Sequence, residues 1–264
     1  MINLRKILFI IIPIFISCSL NSDINIASED NELMEKMDKG ISLFESKKYT
    51  RSLDEFNSII LNDRGSELAV EARFYQGESN FELEQYNEAI SSYEKFMQYS
   101  SDLVKVEYVK FKICKSYFNL ATTYSRDQEN NEFAFMKFQY FIDEFPNSTF
   151  ISEAEDMLLI LRERKAQKVY ETGRLYLKLK EYDSAIIYFN DVVENYYDTQ
   201  FSDKARVSII FFYMLQDKAD DAKKYYEINK NKFQDDSIKK EAEEILFHYN
   251  DASSWIKNKI RLYK

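Results

Sequence analysis

Few residues in this chain have the types and spacing for covalent chemistry. Ser92-Tyr93-Glu94-Lys95 has the letters of the Ser-x-x-Lys found in some acyl-enzymes, but the companion motifs are missing and an exposed helix face is expected there. The single histidine, His248, has no partner cluster, so a structural role is expected for it. There is no phosphate-binding loop and no His-Glu-x-x-His. The two cysteines, Cys18 and Cys114, are too far apart in sequence for a metal-ligand spacing or a disulfide framework. The many carboxylates share amphipathic segments with lysines, the pattern of a solvated face. The sequence therefore predicts no catalytic residue, no metal and no cofactor, which leaves Cys18 as the one candidate for modification.

Cys18 closes a leader. Met1–Ser17 has a short basic start, Arg5-Lys6, then an apolar run of about eleven residues. A helical membrane span needs about 20 residues, so the run fits a secretory leader over residues 1–17. Phe15-Ile16-Ser17-Cys18 resembles the lipobox of bacterial lipoproteins, in which the cysteine becomes the acylated first residue. That resemblance makes Cys18 the lipid-attachment site and residues 18–31 a polar tether. Thirteen flexible residues span roughly 20 Å, so the folded body is expected close to a membrane surface. An ordinary signal peptide or an uncleaved anchor is the alternative.

Composition sets the fold class. With four glycines and two prolines in 264 residues, turns are too scarce for β-architecture. At 45% hydrophobic and 16% aromatic, the chain is rich enough in apolar residues to bury a core. A formal net charge of −9 argues against nucleic acid, which requires a basic footprint.

One phrase recurs with fixed internal spacing: Gly40–Phe44–Tyr49–Ser52–Phe56, Gly77–Phe81–Tyr86–Ala89–Tyr93 and Gly173–Leu177–Tyr182–Ala185–Phe189. Cys114 and Ala134 take the small-residue places in a third repeat, and Ile210 and Ala222 those of a weaker fifth. The pattern predicts an all-α, right-handed superhelix of five tetratricopeptide repeats, three in residues 32–150 and two in residues 151–264 with closing helices at 237–249 and 252–263. In each repeat the glycine is expected to face the second small residue at the helix crossing. The second small residues recur at 37, 45, 51 and 37 residues, longer than the usual 34. A polar insertion, Ser125–Glu132, and one long helix account for the excess. That helix is read from Ser152 to Lys180, about 28 residues or roughly 42 Å, opened by a capping box at Ser152–Glu155 and linking repeats three and four.

Helix A of such a repeat lines the concave groove. Here those positions are Met37, Ile41 and Phe44; Phe74, Glu78 and Phe81; and Phe111, Lys115 and Phe118, an apolar lining with few charges that suits an extended peptide with an aromatic end. Packing between repeats is the competing role for each.

The middle of the chain is more specific. Asp143-Glu144-Phe145-Pro146-Asn147-Ser148, Leu161-Arg162-Glu163-Arg164-Lys165-Ala166 and Val192-Val193-Glu194-Asn195-Tyr196 resemble the BamD family, tetratricopeptide lipoproteins of the outer-membrane β-barrel assembly machine. The resemblance implies a scaffold and receptor anchored by lipid at the periplasmic face of the outer membrane. It implies two partners: unfolded outer-membrane protein peptides at the amino-terminal repeats, and the periplasmic domains of the β-barrel insertase at the carboxyl-terminal ones. A scaffold of another envelope complex, coordinating the wall with the outer membrane, is the alternative function.

Overall fold

The computed structural model describes residues 31–62, 65–121 and 128–248, and within them every regular element is helical. The leader, Cys18, the tether up to residue 30, Ser125–Asp127 and the second closing helix lie outside the described residues. In chain order the helices are α1 (31–45), α2 (Tyr49–Asn62), α3 (Glu67–Glu82), α4 (Tyr86–Tyr99), α5 (Leu103–Leu120), α6 (Gln128–Glu144), α7 (Ile151–Lys178), α8 (Tyr182–Asn195), α9 (Gln200–Leu215), α10 (Ala219–Asn229) and α11 (Asp236–His248). This is the all-α, tetratricopeptide-type array of helix hairpins. It divides into two compact units, one ending at Ser116 and one beginning at Tyr117.

Four hairpin turns are built identically. Lys47, Glu84, Lys180 and Asp217 have φ between 56° and 63°, each two residues before helix B starts at Tyr49, Tyr86, Tyr182 or Ala219. The bonds match as well: Lys47 N–H donates to the Phe44 carbonyl and Lys48 N–H to the Leu43 carbonyl, and the same pair recurs at 84/85, 180/181 and 217/218. This is a Schellman cap, which satisfies the last carbonyls of helix A and reverses the chain. It normally favours glycine at the left-handed position. Here a charged residue holds it, so the turns are visible as spacing and not as glycine.

The conserved spacing within each phrase has a steric cause. A Cβ built on Gly40 would lie 2.6 Å from the Phe56 ring, one on Gly77 would lie 2.4 Å from Tyr93, and one on Gly173 would lie 2.8 Å from Phe189. Each glycine thus makes room for the aromatic sixteen residues on. The atoms nearest each glycine are thus those of the ring and not of the second small residue, and the Ser52 hydroxyl lies 3.0 Å from that of Ser79 in the next repeat's helix A.

The long helix is present as one 28-residue element. Its start differs from expectation. Phe150 is the N-cap and makes no side-chain cap bond, so Ser152 lies inside the first turn and the capping-box reading fails. The Ser148 hydroxyl instead accepts from the Phe150 N–H at 3.2 Å. The expected polar insertion is also shorter, because Gln128–Glu132 already belongs to α6. Within the second unit α7 packs on α6, α8 and α9, and α9 on α10 and α11. The core there is Tyr170, Phe189, Val192, Ile209, Ile210 and their neighbours.

Candidate interaction surfaces

The helix-A positions read as groove lining are not free. Met37 is buried with Phe56, Ile59 and Ala72, and Ile41 packs against the same cluster. Phe44 meets Tyr49 and Tyr75 at ring separations of 5.4 and 5.8 Å. Phe74 sits between Tyr75 and Phe96 with the Lys105 ammonium 5.2 Å above it. Phe81 packs on Tyr86 and carries the Lys112 ammonium 3.6 Å from its ring centre. Phe111 is buried, with Lys115 over its ring. Phe118 belongs to the second unit, where it meets Phe138 and the Arg164 guanidinium. In no case is the side chain fully exposed, so packing claims most of this lining; Ile41, Phe44, Phe74, Phe81, Lys115 and Phe118 keep partial exposure.

Glu78 has a different role from a groove charge. It is 7% exposed and accepts from the Tyr93 hydroxyl at 2.5 Å, from the Tyr108 hydroxyl at 2.9 Å and from Lys112 at 3.3 Å. A carboxylate on α3 thus joins α4 and α5. Burial, reinforced by the Glu78 charge, pushes both tyrosine hydroxyls well above their ordinary range. The buried charge is matched by an ammonium and two hydroxyl donors, the condition under which such a pair is tolerated. Sequence periodicity placed Glu78 on the inner face of helix A but could not tell a groove from a packed junction.

Of the Ser92–Lys95 letters expected on an exposed helix face, only Glu94 and Lys95 are exposed. Ser92 is buried, not exposed; its hydroxyl donates to the Glu88 carbonyl at 2.9 Å and accepts from Asn80 at 3.4 Å. Tyr93 beside it is fully buried. Cys114 is buried, and the side chain of His248 lies outside the described residues. Among the described residues, no group of histidine, cysteine and carboxylate is placed to hold a metal, and no helix is long and apolar enough to cross a membrane.

In the second unit the turn 196–199 between α8 and α9 is held by side chains of α7. Arg162 of α7 places its Nε 2.8 Å from both carboxylate oxygens of Asp198 and donates to the Asn195 carbonyl. Its guanidinium lies 5.4 Å from the Tyr196 ring centre. Glu163 accepts from the Gln200 N–H at 3.0 Å, at the first residue of α9. The Tyr197 carbonyl accepts from Ser202 and Gln234. Asp203, buried and paired with Arg206 at 2.7 Å, takes the N–H groups of Gln234 and Asp235. Held at both ends and on its carbonyl, the turn leaves the Tyr197 side chain 61% exposed. A large, pre-oriented aromatic on fixed backbone is what an interface hot spot requires. The supports of Tyr197 are not legible along the chain: Arg162 and Asp198 are 36 residues apart, and nothing local pairs them.

A protein-family model described as YfiO, outer membrane lipoprotein, matches residues 29–244. The chain is similar to the outer membrane protein assembly factor BamD of Rickettsia prowazekii, 29% identical over 187 residues that make up 71% of this chain and 74% of that protein. It is also similar to the BamD of Caulobacter vibrioides, 22% identical over 176 residues, 67% of this chain and 58% of the relative.

Proposed function

The chain belongs to the YfiO family of outer membrane lipoproteins, and from that membership we propose that it is a non-catalytic assembly factor for outer membrane proteins. The finer reading has three parts. Acylation of Cys18 ties the protein to the periplasmic face of the outer membrane, where two or more acyl chains give stable anchoring. The amino-terminal repeats receive extended segments of unfolded β-barrel proteins along the half-exposed positions Ile41, Phe44, Phe74, Phe81 and Lys115. The carboxyl-terminal repeats hold the periplasmic part of a β-barrel insertase.

The observation that carries this reading is Tyr197: an exposed aromatic on a turn fixed by Arg162, Glu163 and Gln234. Most of the helix-A lining is committed to packing, whereas this side chain is free for a partner. The experiment is recovery of the native lipoprotein from detergent-solubilised membranes, with identification of what co-purifies. Tyr197→Asp removes the insertase from the recovered complex and leaves the melting temperature unchanged. Lys115→Glu weakens binding of a barrel's carboxyl-terminal peptide and leaves the insertase in place. If both variants retain both partners, the division is wrong; if the wild type retains neither, the assembly role itself falls.

A further inference from the structure

Within the first unit the helices alternate in direction, so each has one end on each of two edges. One edge carries the start of α1, the end of α2, the start of α3, the end of α4 and the start of α5. Glu32, Leu33 and Lys36 of α1 adjoin Asn62, which places the first of these together. A shallow cleft of about 400 Å³ between Gly65, Glu67, Val70, Tyr99 and Lys105 places the rest. The opposite edge carries the hairpin turns at Lys47 and Glu84.

The exposed large apolar side chains of the first unit's described residues are Met34, Leu61, Tyr99, Leu103 and Val104, at 60, 66, 59, 79 and 79% exposure. All five lie on the first edge. Leu61 is in the last turn of α2, Tyr99 ends α4, and Leu103 and Val104 open α5. The opposite edge has none so exposed: its fully exposed residues include Lys47, Lys48 and Glu84, and its aromatics Phe44, Tyr49, Phe81 and Tyr86 are only partly exposed. Single exposed apolar residues need no explanation, but five gathered on one edge and none on the other do.

Several of the charges on that edge are paired. Lys36 is paired with Glu32 at 2.7 Å and Lys105 with Glu71 at 2.6 Å. The Asp102 carboxylate accepts the N–H groups of Val104 and Lys105, both at 3.1 Å. The edge therefore combines exposed apolar side chains with paired charges, and Glu35 and Glu67 stand exposed beside them. It is also where the chain leaves for Cys18. Twelve residues separate Cys18 from residue 31. Whatever its conformation, that segment reaches at most ~45 Å, and a flexible one typically spans roughly 20 Å. The opposite edge is further from the anchor by one helix length, roughly 21–24 Å for helices of 14 to 16 residues.

We infer that this edge of the first unit rests on the lipid bilayer, with Leu103 and Val104 entering the interface, Tyr99 at headgroup depth, and Met34 and Leu61 beside the tether. The inference rests on the Cys18 anchor of the proposed function and adds to it an orientation: the hairpin turns at Lys47 and Glu84 point into the periplasm. Tyrosine suits the headgroup layer, and shallow burial of a few aliphatic side chains is how a monotopic protein holds a surface without crossing it.

The test uses the lipidated protein in vesicles of phosphatidylethanolamine with a minority of phosphatidylglycerol. A nitroxide is placed at Val104→Cys or, on the opposite edge, at Lys48→Cys; Cys114 is buried and Cys18 is acylated. Collision with oxygen, which partitions into lipid, and with a water-soluble nickel chelate reports depth. The label at 104 gains oxygen contact and loses nickel contact on vesicles, while the label at 48 stays aqueous. Adding Leu103→Asp shifts the label at 104 towards water by about tenfold in docked population, the partitioning worth of one buried aliphatic side chain. A 104 label as aqueous as the 48 label, in protein that still sediments with the vesicles, overturns the orientation alone. Failure to sediment overturns the Cys18 anchor and the orientation with it. Protection at 104 in native membranes but not in protein-free vesicles assigns the edge to a protein partner and overturns the lipid contact.

Discussion

Repeats two and four share one phrase and close it by different chemistry. In both, a glycine on helix A admits an aromatic ring from helix B sixteen residues later. In repeat two the ring is Tyr93, whose hydroxyl is tied through Glu78 to Tyr108 and Lys112. In repeat four it is Phe189, which lies in the apolar core of the second unit with the Tyr170 ring 5.7 Å away. The residue after the glycine follows suit. Glu78 is buried at a three-helix junction, whereas Arg174 is half-exposed and paired with Glu171 one turn away. Sharing a steric rule therefore does not mean sharing an energy source. Repeat two depends on a matched buried charge, and repeat four on apolar contact.

The sharpest way to break the comparison is to remove the residue after each glycine. Glu78→Ala leaves Lys112 buried without its carboxylate, and loss of one partner of such a pair costs about 3–5 kcal/mol. Arg174→Ala removes a partly exposed pair with Glu171, its side chain being 28% exposed, and costs less, about 1 kcal/mol. Denaturant titration of both variants measures the gap; equal costs would end the distinction.

The glycines come next. Gly77→Ala would drive a methyl into a ring that cannot retreat, because its hydroxyl is held, and costs about 1–3 kcal/mol. At Gly173 the clash is milder and the Phe189 ring carries no polar tie. There the gain in helix propensity, about 1 kcal/mol, offsets much of the strain. Thermal melts should show Gly77→Ala clearly destabilised and Gly173→Ala close to wild type.

High pH sharpens the comparison differently. The folded-state pKa of Tyr93 is raised above its ordinary value of 10.0, by burial first and Glu78 second. A raised tyrosine pKa contributes stability that is whole below pH 10 and is lost as pH climbs above it, because the unfolded chain then releases the proton first. Circular dichroism of the wild type above pH 10 should show a steeper loss of stability than Tyr93→Phe, which copies the ring found in repeat four.

The smallest effect tests what the repeats have in common. Lys180→Gly should stabilise repeat four by about 1 kcal/mol, because glycine holds a left-handed cap without the Cβ penalty. Glu84→Gly should gain a similar amount in repeat two unless the junction at Glu78 depends on that turn. A midpoint shift in denaturant at constant slope would register both.

The sequence alone determined what depends on neighbours within one or two helices. Scarce glycine and proline with period-consistent aromatics required helices throughout, the uninterrupted stretch after Pro146 required one long helix, and the four-, five-, three- and four-residue spacings required paired helices. Local backbone geometry and side-chain volume enforce these, and both can be read along the chain. The tertiary structure decided what depends on residues far apart. It turned Glu78 from a groove charge into the centre of a junction, since Tyr93 and Lys112 come from two other helices. It paired Gly40 with Phe56 and Ser52 with Ser79, a choice that helix crossing makes and spacing does not. It fixed Tyr197 through Arg162, and it gathered Leu61, Tyr99, Leu103 and Val104 on one edge. Periodicity reports which side of a helix faces inward. Whether inward means a core, a junction or a surface for a partner depends on what the neighbouring helices bring to that side, and only packing settles it.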